Sequence, residues 1–378
     1  MRIIGAVLEQ SGAEPPFASS HPFTVGPLEL DPPGPGEILV RIEAAGVCHS
    51  DLSVVDGNRV RPTPMLLGHE AAGIVEQLGD GVDDLPVGTR VVMTFLPRCG
   101  DCPECATNGR LPCRVGSAAN NEGTLVGGGI RLHRGGTDAA APEAVNHHLG
   151  VSGFASHAVV SRTSVVPVDA DVPAEIAALL GCAVLTGGGA VINAGTPAPG
   201  SRVIVVGLGG VGMAALLVAV ALGLEVIGVD AVPAKLELAR EFGASAAHGP
   251  AEASEAGLTA PLVIEAAGSA RAFETALALT APGGTTVTVG LPAPDARASV
   301  SPLLLTAQAR TIIGSYLGSA VPSRDIPRYV ELWRSGKLPL ERLVSSHVRL
   351  DDLDGAMDRL AAGGELRQLI TFPDPPTD

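Results

Sequence analysis

The sequence predicts an α/β chain in which a doubly wound parallel sheet is joined to a β-rich region. Three observations point there. At 378 residues the chain has room for two domains of ordinary size, each with its own core. From about 185 to 316, apolar strand-length runs alternate with Ala- and Leu-rich helical segments, the pattern of a parallel sheet covered by helices on both faces. The first 180 or so residues instead show short apolar runs between Gly and Pro turns, with few long helical stretches. The expected division is 1–184, 185–316, and a segment 317–378 that returns to the first domain.

In the first domain, strands are expected at 37–41, 72–76 and 90–93, and the Gly-, Ala- and Asn-rich stretch 116–142 reads as a long surface excursion. In the second, strands are expected at 203–206, 225–229, 262–265, 286–289 and 311–315, and the returning segment is expected to hold a helix over 323–334 and an apolar run at 369–372. Residues 203–224 carry no charge and are long enough to cross a bilayer. Gly207, Gly209, Gly210 and Gly212 break that run into strand, turn and helix, so no membrane span is expected. A formal net charge of -15 disfavours nucleic acid, which requires a surplus of Lys and Arg.

The six cysteines sort into two patterns. Cys99, Cys102, Cys105 and Cys113 follow Cys-x-x-Cys-x-x-Cys with a fourth Cys after a seven-residue gap, four thiolates from one short loop and therefore a closed, structural kind of zinc site. The acidic Asp101 and Glu104 in that loop argue against a DNA-binding finger. Cys48 and Cys182 lie far apart, with His69 between them in sequence. Two thiolates and one imidazole leave a fourth tetrahedral position open, the pattern of a catalytic zinc. Glu70 reads as a structural or transient ligand beside His69, and Asp51 as the carboxylate that orients the His69 ring. The residues after Met1 do not resemble a secretory signal, so a reducing, cytoplasmic setting is expected and metal is favoured over disulfides.

Gly207, Gly209 and Gly212 form Gly-x-Gly-x-x-Gly between an expected strand and helix. Such glycines let the backbone approach a pyrophosphate, and the helix N-terminus offers it free N–H groups, as in a Rossmann domain. Asp230 ends the next strand, where a carboxylate accepts from an adenosine ribose and repels a 2′-phosphate. No Arg adjoins it in Asp230-Ala231-Val232, so NAD is favoured over NADP. His49 is read as a pyrophosphate contact and His148 as a pocket wall.

Cys48-His49-Ser50-Asp51, Gly68-His69-Glu70, the four-Cys loop, the segment Gly181 to Gly187 and the Gly207 to Gly212 loop occur in the order and spacing of the zinc-dependent medium-chain alcohol dehydrogenases. The chain resembles that family over nearly its whole length, and the longer liver-type branch, with its thiol-dependent formaldehyde dehydrogenases, most of all. The resemblance implies a GroES-like catalytic domain, a homodimer joined through the dinucleotide-binding domains, and hydride transfer between a primary or secondary alcohol and NAD. An unassisted alcohol keeps its proton near neutral pH and releases hydride poorly. Zinc lowers the pKa of bound water from 15.7 to about 7, and a similar shift of a bound alcohol is worth roughly 11 to 12 kcal/mol. Ser50, near Cys48, is placed to hydrogen-bond the alcohol oxygen and pass on its proton.

The resemblance also implies a pocket lined by Phe95, His148 and Leu149, and Thr186 near the reacting face of the nicotinamide with Val211 behind it. Val289, Gly290, Leu291 and Leu317 would run along the nicotinamide half, Lys235 would reach the adenosine ribose, and Arg367 the pyrophosphate. Two departures stand out. Ser53 occupies the place where much of the liver branch has a relay His, and His148 stands where an aromatic ring is common. The alternatives are oxidation of a thiol adduct of formaldehyde, with Arg59, Arg61 and Arg114 as candidate carboxylate contacts, and a non-catalytic NAD- and zinc-binding protein.

Overall fold

A computed structural model describes residues 1–135 and 142–372, and they form two compact units. One unit comprises Met1–Thr107, Pro112–Cys182 and the chain from Val344 onward; the other comprises Asn108–Leu111 and Ala183–Leu343.

The first unit is β-rich. The strands Arg2–Leu8, Phe23–Leu30, Leu132–Arg134, Glu143–His147 and Met65–Leu66 follow one another around a closed barrel. Beside it runs a sheet in the order Val165–Val168, Arg90–Met93, Glu70–Leu78, Glu37–Val47, Arg367–Thr371 and Val344–Val348, and His157–Ser161 also pairs with Glu37–Val47. Apart from Glu37, Arg41 and Glu43 the long strand Glu37–Val47 is apolar; Ile38, Val40, Ile42, Ala45 and Val47 all enter one core with Phe17, Met93 and Phe154, and Leu39 enters a second. The returning strand Arg367–Thr371 pairs antiparallel with its end, setting Leu369 opposite Gly46 and Gln368 opposite Val47. That pairing carries Arg367 to the end of the sheet where Val47 leads into Cys48 and Gly46 pairs with Glu70.

The second unit holds six parallel strands in the order Ala246–His248, Glu225–Val229, Arg202–Val206, Ala260–Glu265, Thr280–Thr288 and Thr311–Gly314. The spatial order 3-2-1-4-5-6 is that of a dinucleotide-binding doubly wound sheet, whose ligands lie at the point where strand order reverses. Its helices start on residues that favour a helix N-terminus. Pro233 and Pro322 open Pro233–Glu241 and Pro322–Arg334, and Ser269 caps Ala270–Ala278 by accepting from the Ala272 amide.

Two expectations need correction. The stretch 116–142 is not a surface excursion throughout: it contains most of the helix Arg114–Glu122 and the strand Leu132–Arg134, and Asn120, Leu125 and Leu132 are buried; residues 136–141 lie outside the described residues. The segment expected to return from 317 divides, with Leu317–Leu343 in the second unit and only Val344 onward in the first. The strand Ala246–His248 has no expectation behind it, being three residues without an apolar run. Among the described residues the helical run Ala174–Gly195 has the length and hydropathy to cross a membrane, yet 89% of its apolar window is buried inside the protein, as in a core helix.

Candidate active site

Cys48 terminates the strand Glu37–Val47 and precedes the helix His49–Val55, while His69 and Glu70 stand at the start of the neighbouring strand Glu70–Leu78. Gly68 permits this corner: its φ of +88° is a left-handed conformation, and a Cβ there would come within 2.6 Å of the Phe154 nitrogen. Cys182 comes from a single π-helical turn, Leu180–Val184, a distortion that recurs at functional sites. Cys48, His69, Glu70 and Cys182 are all buried, and their ligand atoms lie within 4.8 Å of one another.

The donor set fits zinc on several counts. Tetrahedral bonds of 2.3 Å to sulfur and 2.0–2.1 Å to nitrogen separate the two ligand atoms by about 3.5 Å, and Cys182 Sγ lies 3.5 Å from His69 Nε2. The His69 Nδ1 donates to Asp51 Oδ1 at 3.1 Å, which leaves the Nε2 lone pair toward the thiols. Hydrogen bonding between the two buried thiols draws Cys48 well below the ordinary range, against burial and with help from Arg367, and pushes Cys182 well above it. A divalent cation would remove that competition by stabilising both thiolates. Glu70 keeps one oxygen, Oε1, without a hydrogen-bond partner although it is fully buried, and Oε2 accepts from Arg367 Nε at 3.1 Å. Burial raises the Glu70 carboxyl to about 7 despite Arg367.

Asp51 holds the constellation together. Its carboxylate accepts from the Cys48 amide at 3.2 Å, the Gly68 amide at 3.1 Å and His69 Nδ1, so it joins the helix start, the Gly68 corner and the imidazole. His148 Nδ1 also comes within 3.2 Å of Asp51 Oδ1 without hydrogen-bond alignment. Burial opposes the Asp51 charge, but the facing His69 and His148 rings hold the group well below the usual carboxylate range. The rings of Phe95 and His148 each meet the His69 ring edge-on at 5.5 Å between centroids.

The second cluster is different in kind. Cys99, Cys102, Cys105 and Cys113 all carry free thiols, with separations of 3.6 Å (Cys99–Cys113), 3.9 Å (Cys102–Cys113) and 4.0 Å (Cys99–Cys105). A tetrahedron of sulfurs around zinc has edges of about 3.8 Å. The Cys99 and Gly116 amides both donate to Cys113 Sγ at 3.4 Å.

In the second unit, the strand Arg202–Val206 runs into Gly207 and the helix Gly210–Ala221 follows, with Gly209 at its N-cap. Gly212 allows the helix to close on the turn, since a Cβ there would collide with the Gly207 carbonyl. Asp230 accepts from the Leu208 amide at 2.7 Å and from the Val232 amide at 2.9 Å. It therefore shapes the glycine turn, and each oxygen retains a lone pair for a ribose hydroxyl.

Residues 34–170 match the family described as alcohol dehydrogenase GroES-like domain, and residues 210–335 match zinc-binding dehydrogenase. The chain is 38% identical to putative alcohol dehydrogenase D of Mycobacterium tuberculosis over 94% of this chain and 97% of that one. It is 36% identical to geraniol dehydrogenase of Castellaniella defragrans, covering 97% of each. Among solved structures, benzyl alcohol dehydrogenase from Acinetobacter calcoaceticus superposes with a TM-score of 0.88 at 32% identity, covering 99% of this chain and 100% of that one. The chain belongs to the zinc-dependent medium-chain alcohol dehydrogenases.

Of this dehydrogenase's remaining expected site residues, Ser50 lies half-buried in the first turn of the helix that Cys48 precedes, and His49 beside it is exposed. Leu149 is buried next to His148, with a φ of 52°. Thr186 and Leu317 are buried, Val211, Lys235, Val289 and Gly290 are partly exposed, and Leu291 is exposed. Ser53 donates to the His49 carbonyl at 2.8 Å, so the hydroxyl at the relay position is engaged with its own helix. Arg61 donates to the Asn120 carbonyl and to Asn121 Oδ1, and Arg114 faces Glu104 at 3.6 Å, which ties both of these candidate carboxylate contacts to groups of the protein itself.

Three residues carry more than their sequence context announces. Arg367, expected at a pyrophosphate, is 2% exposed and pairs with Glu70, with Nη2 3.8 Å from Cys48 Sγ. Glu265, at the end of Ala260–Glu265, is buried and gathers the Ala267 and Gly268 amides and the Thr288 hydroxyl, fixing the turn beside Val289 and Gly290. Asn120 donates to the Phe95 carbonyl at 2.7 Å. Arg367 and Asn120 act on groups distant in sequence, and Glu265 on a turn and a neighbouring strand, so no local motif announces them.

Proposed function

We propose that this protein interconverts an alcohol and its aldehyde or ketone with NAD, through Cys48, His69 and Cys182 as the ligands of a catalytic zinc and Cys99, Cys102, Cys105 and Cys113 as those of a structural one. The reading is carried by one observation: two thiols and an imidazole converge in a buried site, with Asp51 fixing the imidazole tautomer. Bound there, zinc supplies a Lewis acid that acidifies the alcohol hydroxyl. Ser50 Oγ would accept the hydroxyl proton while giving up its own through the nicotinamide ribose to water, and Arg367 balances the Glu70 carboxylate and keeps positive charge beside Cys48. Phe95, His148 and Leu149 wall the substrate side. The Gly207–Gly212 turn and the helix start cradle the pyrophosphate, and Asp230 accepts from the ribose and excludes a 2′-phosphate.

The named relatives act on geraniol and benzyl alcohol, and a benzylic or terpenoid primary alcohol is the substrate class this reading favours. His148, a polar ring against His69, adds a hydrogen-bonding group to a wall otherwise made by Phe95 and Leu149. We further propose a cytoplasmic homodimer. Six free cysteines suit a reducing compartment, and the sheet edge Thr311–Gly314, with Val300, Leu303 and Leu304 exposed nearby in sequence, suits a contact with a second copy.

The test is nicotinamide absorbance with zinc-loaded protein, NAD or NADP, and a panel of aliphatic, benzylic, terpenoid and thiol-adduct alcohols. Turnover of free alcohols with NAD supports the reading. Strict dependence on an added thiol would replace it with the formaldehyde-adduct reaction, and tight NADH binding without turnover would replace it with a non-catalytic role.

A further inference from the structure

Phe95 packs edge-on against the His69 ring, yet it stands on an irregular segment after the strand Arg90–Met93. Something must hold that segment, because a wall that drifts by an ångström changes what fits beside the metal. The backbone is tied on either side, where the Thr94 and Arg98 amides donate to the Ser164 and Thr163 carbonyls, and at Phe95 itself buried Asn120, 4% exposed, donates Nδ2 to the carbonyl at 2.7 Å. Asn120 belongs to the helix Arg114–Glu122, which begins where the four-thiol loop ends. Cys113, the last thiol, caps this helix by accepting from the Gly116 amide. Gly116 brings the helix hard against the wall segment, since a Cβ there would meet the Pro97 carbonyl. From the other side Arg61 donates to the Asn120 carbonyl at 3.3 Å and to Asn121 Oδ1 at 2.8 Å.

We propose that Asn120 is a positioning residue that sets the place of Phe95 against His69, so that the four-thiol loop selects substrate through its helix as well as stabilising the fold. The chain of contacts is continuous: Cys113 sulfur, helix start, Asn120 amide, Phe95 carbonyl, Phe95 ring, His69 ring. This proposal rests on the reading of Phe95 as a substrate wall.

The experiment is a double-mutant cycle of Asn120→Ala and Phe95→Ala in the zinc-loaded protein, reading KM and kcat for a ring-bearing benzylic alcohol and a short aliphatic one. Losing the amide donor is expected to shift the benzylic-to-aliphatic KM ratio by about tenfold, the scale of one net hydrogen bond, with kcat for the short alcohol within about twofold. In the Phe95→Ala background the same substitution is expected to leave that ratio unchanged, because the ring it positions is gone. Equal effects in both backgrounds would overturn the proposal, as would an unchanged ratio in the single variant. The crystal structure of Asn120→Ala gives a readout independent of turnover: the 5.5 Å separation of the Phe95 and His69 rings is expected to widen, and a ring left in place would also overturn it. If the parent turns over no alcohol, the functional reading fails by itself, while the crystal structure still decides whether Asn120 places Phe95.

Discussion

The two cysteine clusters use the same chemistry and opposite construction. Cys99, Cys102, Cys105 and Cys113 come from one loop, two of them partly exposed, and Glu104 beside them faces the largely exposed Arg114. Cys48, His69, Glu70 and Cys182 come from separate elements, are all buried, and are surrounded by buried charge: Asp51 on the imidazole and Arg367 on Glu70. A closed set of four thiolates needs only a short chain to hold it. A site with an open position needs its ligands fixed from outside, and that is why its charged neighbours are buried too.

The sharpest way to break this contrast is to remove one ligand from each cluster. Cys182→Ala is expected to lose one metal equivalent and to lower kcat/KM by about 10³-fold or more, since several kcal/mol of Lewis-acid assistance disappears, while the thermal midpoint changes little. Cys105→Ala is expected to lose the other equivalent and to appear mainly as a lower thermal midpoint. Metal content, steady-state kinetics and calorimetry on both variants decide it, and an inactive but thermally unchanged Cys105→Ala protein would collapse the distinction.

Next in size is the contrast between the two carboxylate–arginine pairs. Arg367→Met leaves Glu70 buried without its counter-charge and is expected to cost about 3–5 kcal/mol in denaturant unfolding. Arg114→Ala removes half of a long pair whose Arg is mostly exposed, at 3.6 Å, and is expected to leave the unfolding midpoint nearly unchanged. Similar losses from both would show that burial does not separate the sites.

Asp51→Asn probes the outer layer of the open site alone. Asparagine keeps the size but turns one oxygen into a donor, so it cannot accept from the Cys48 amide, the Gly68 amide and His69 as the carboxylate does. Metal affinity there is expected to fall about 10–100-fold. Competition with a chelator measures it, and the four-thiol loop serves as the internal control.

Construction also explains what is legible in the sequence. The four-thiol loop and the Gly207–Gly212 turn are local, so their spacing alone announces them, and the buried strands Arg202–Val206 and Glu225–Val229 read as continuous apolar runs. Cys48 and His69 are visible through neighbours in the chain, and Cys182 through its flanking segment. The roles of Arg367 and Asn120 are not legible, because they exist only after Arg367–Thr371 pairs with Glu37–Val47 and after Gly116 lets its helix approach Pro97. The helix Arg114–Glu122 is itself hidden by a composition of Gly, Ala and Asn that resembles a loop.

Acid gives the finest separation, provided that proton uptake by the fold is distinguished from release of metal. His147, buried beside His148, accepts from the Arg131 amide through Nε2 at 3.1 Å, so that nitrogen carries no proton and the ring is neutral. Burial, with Arg131 and His133 nearby, lowers its pKa from 6.5 to about 3. The unfolded chain binds this proton below pH 6.5 and the folded chain refuses it until about pH 3, so stability is full above 6.5 and declines between the two values. By pH 5 the loss from this group alone is about 2 kcal/mol. His147→Gln retains an acceptor for the Arg131 amide and cannot titrate, so its stability is expected to fall by that much less between pH 7 and pH 5. Urea midpoints at both pH values check this. If parent and variant decline in parallel, the acid sensitivity does not come from His147, and metal release measured at both sites then separates the metal clusters from the other histidines whose pKa burial lowers, His148 and His157.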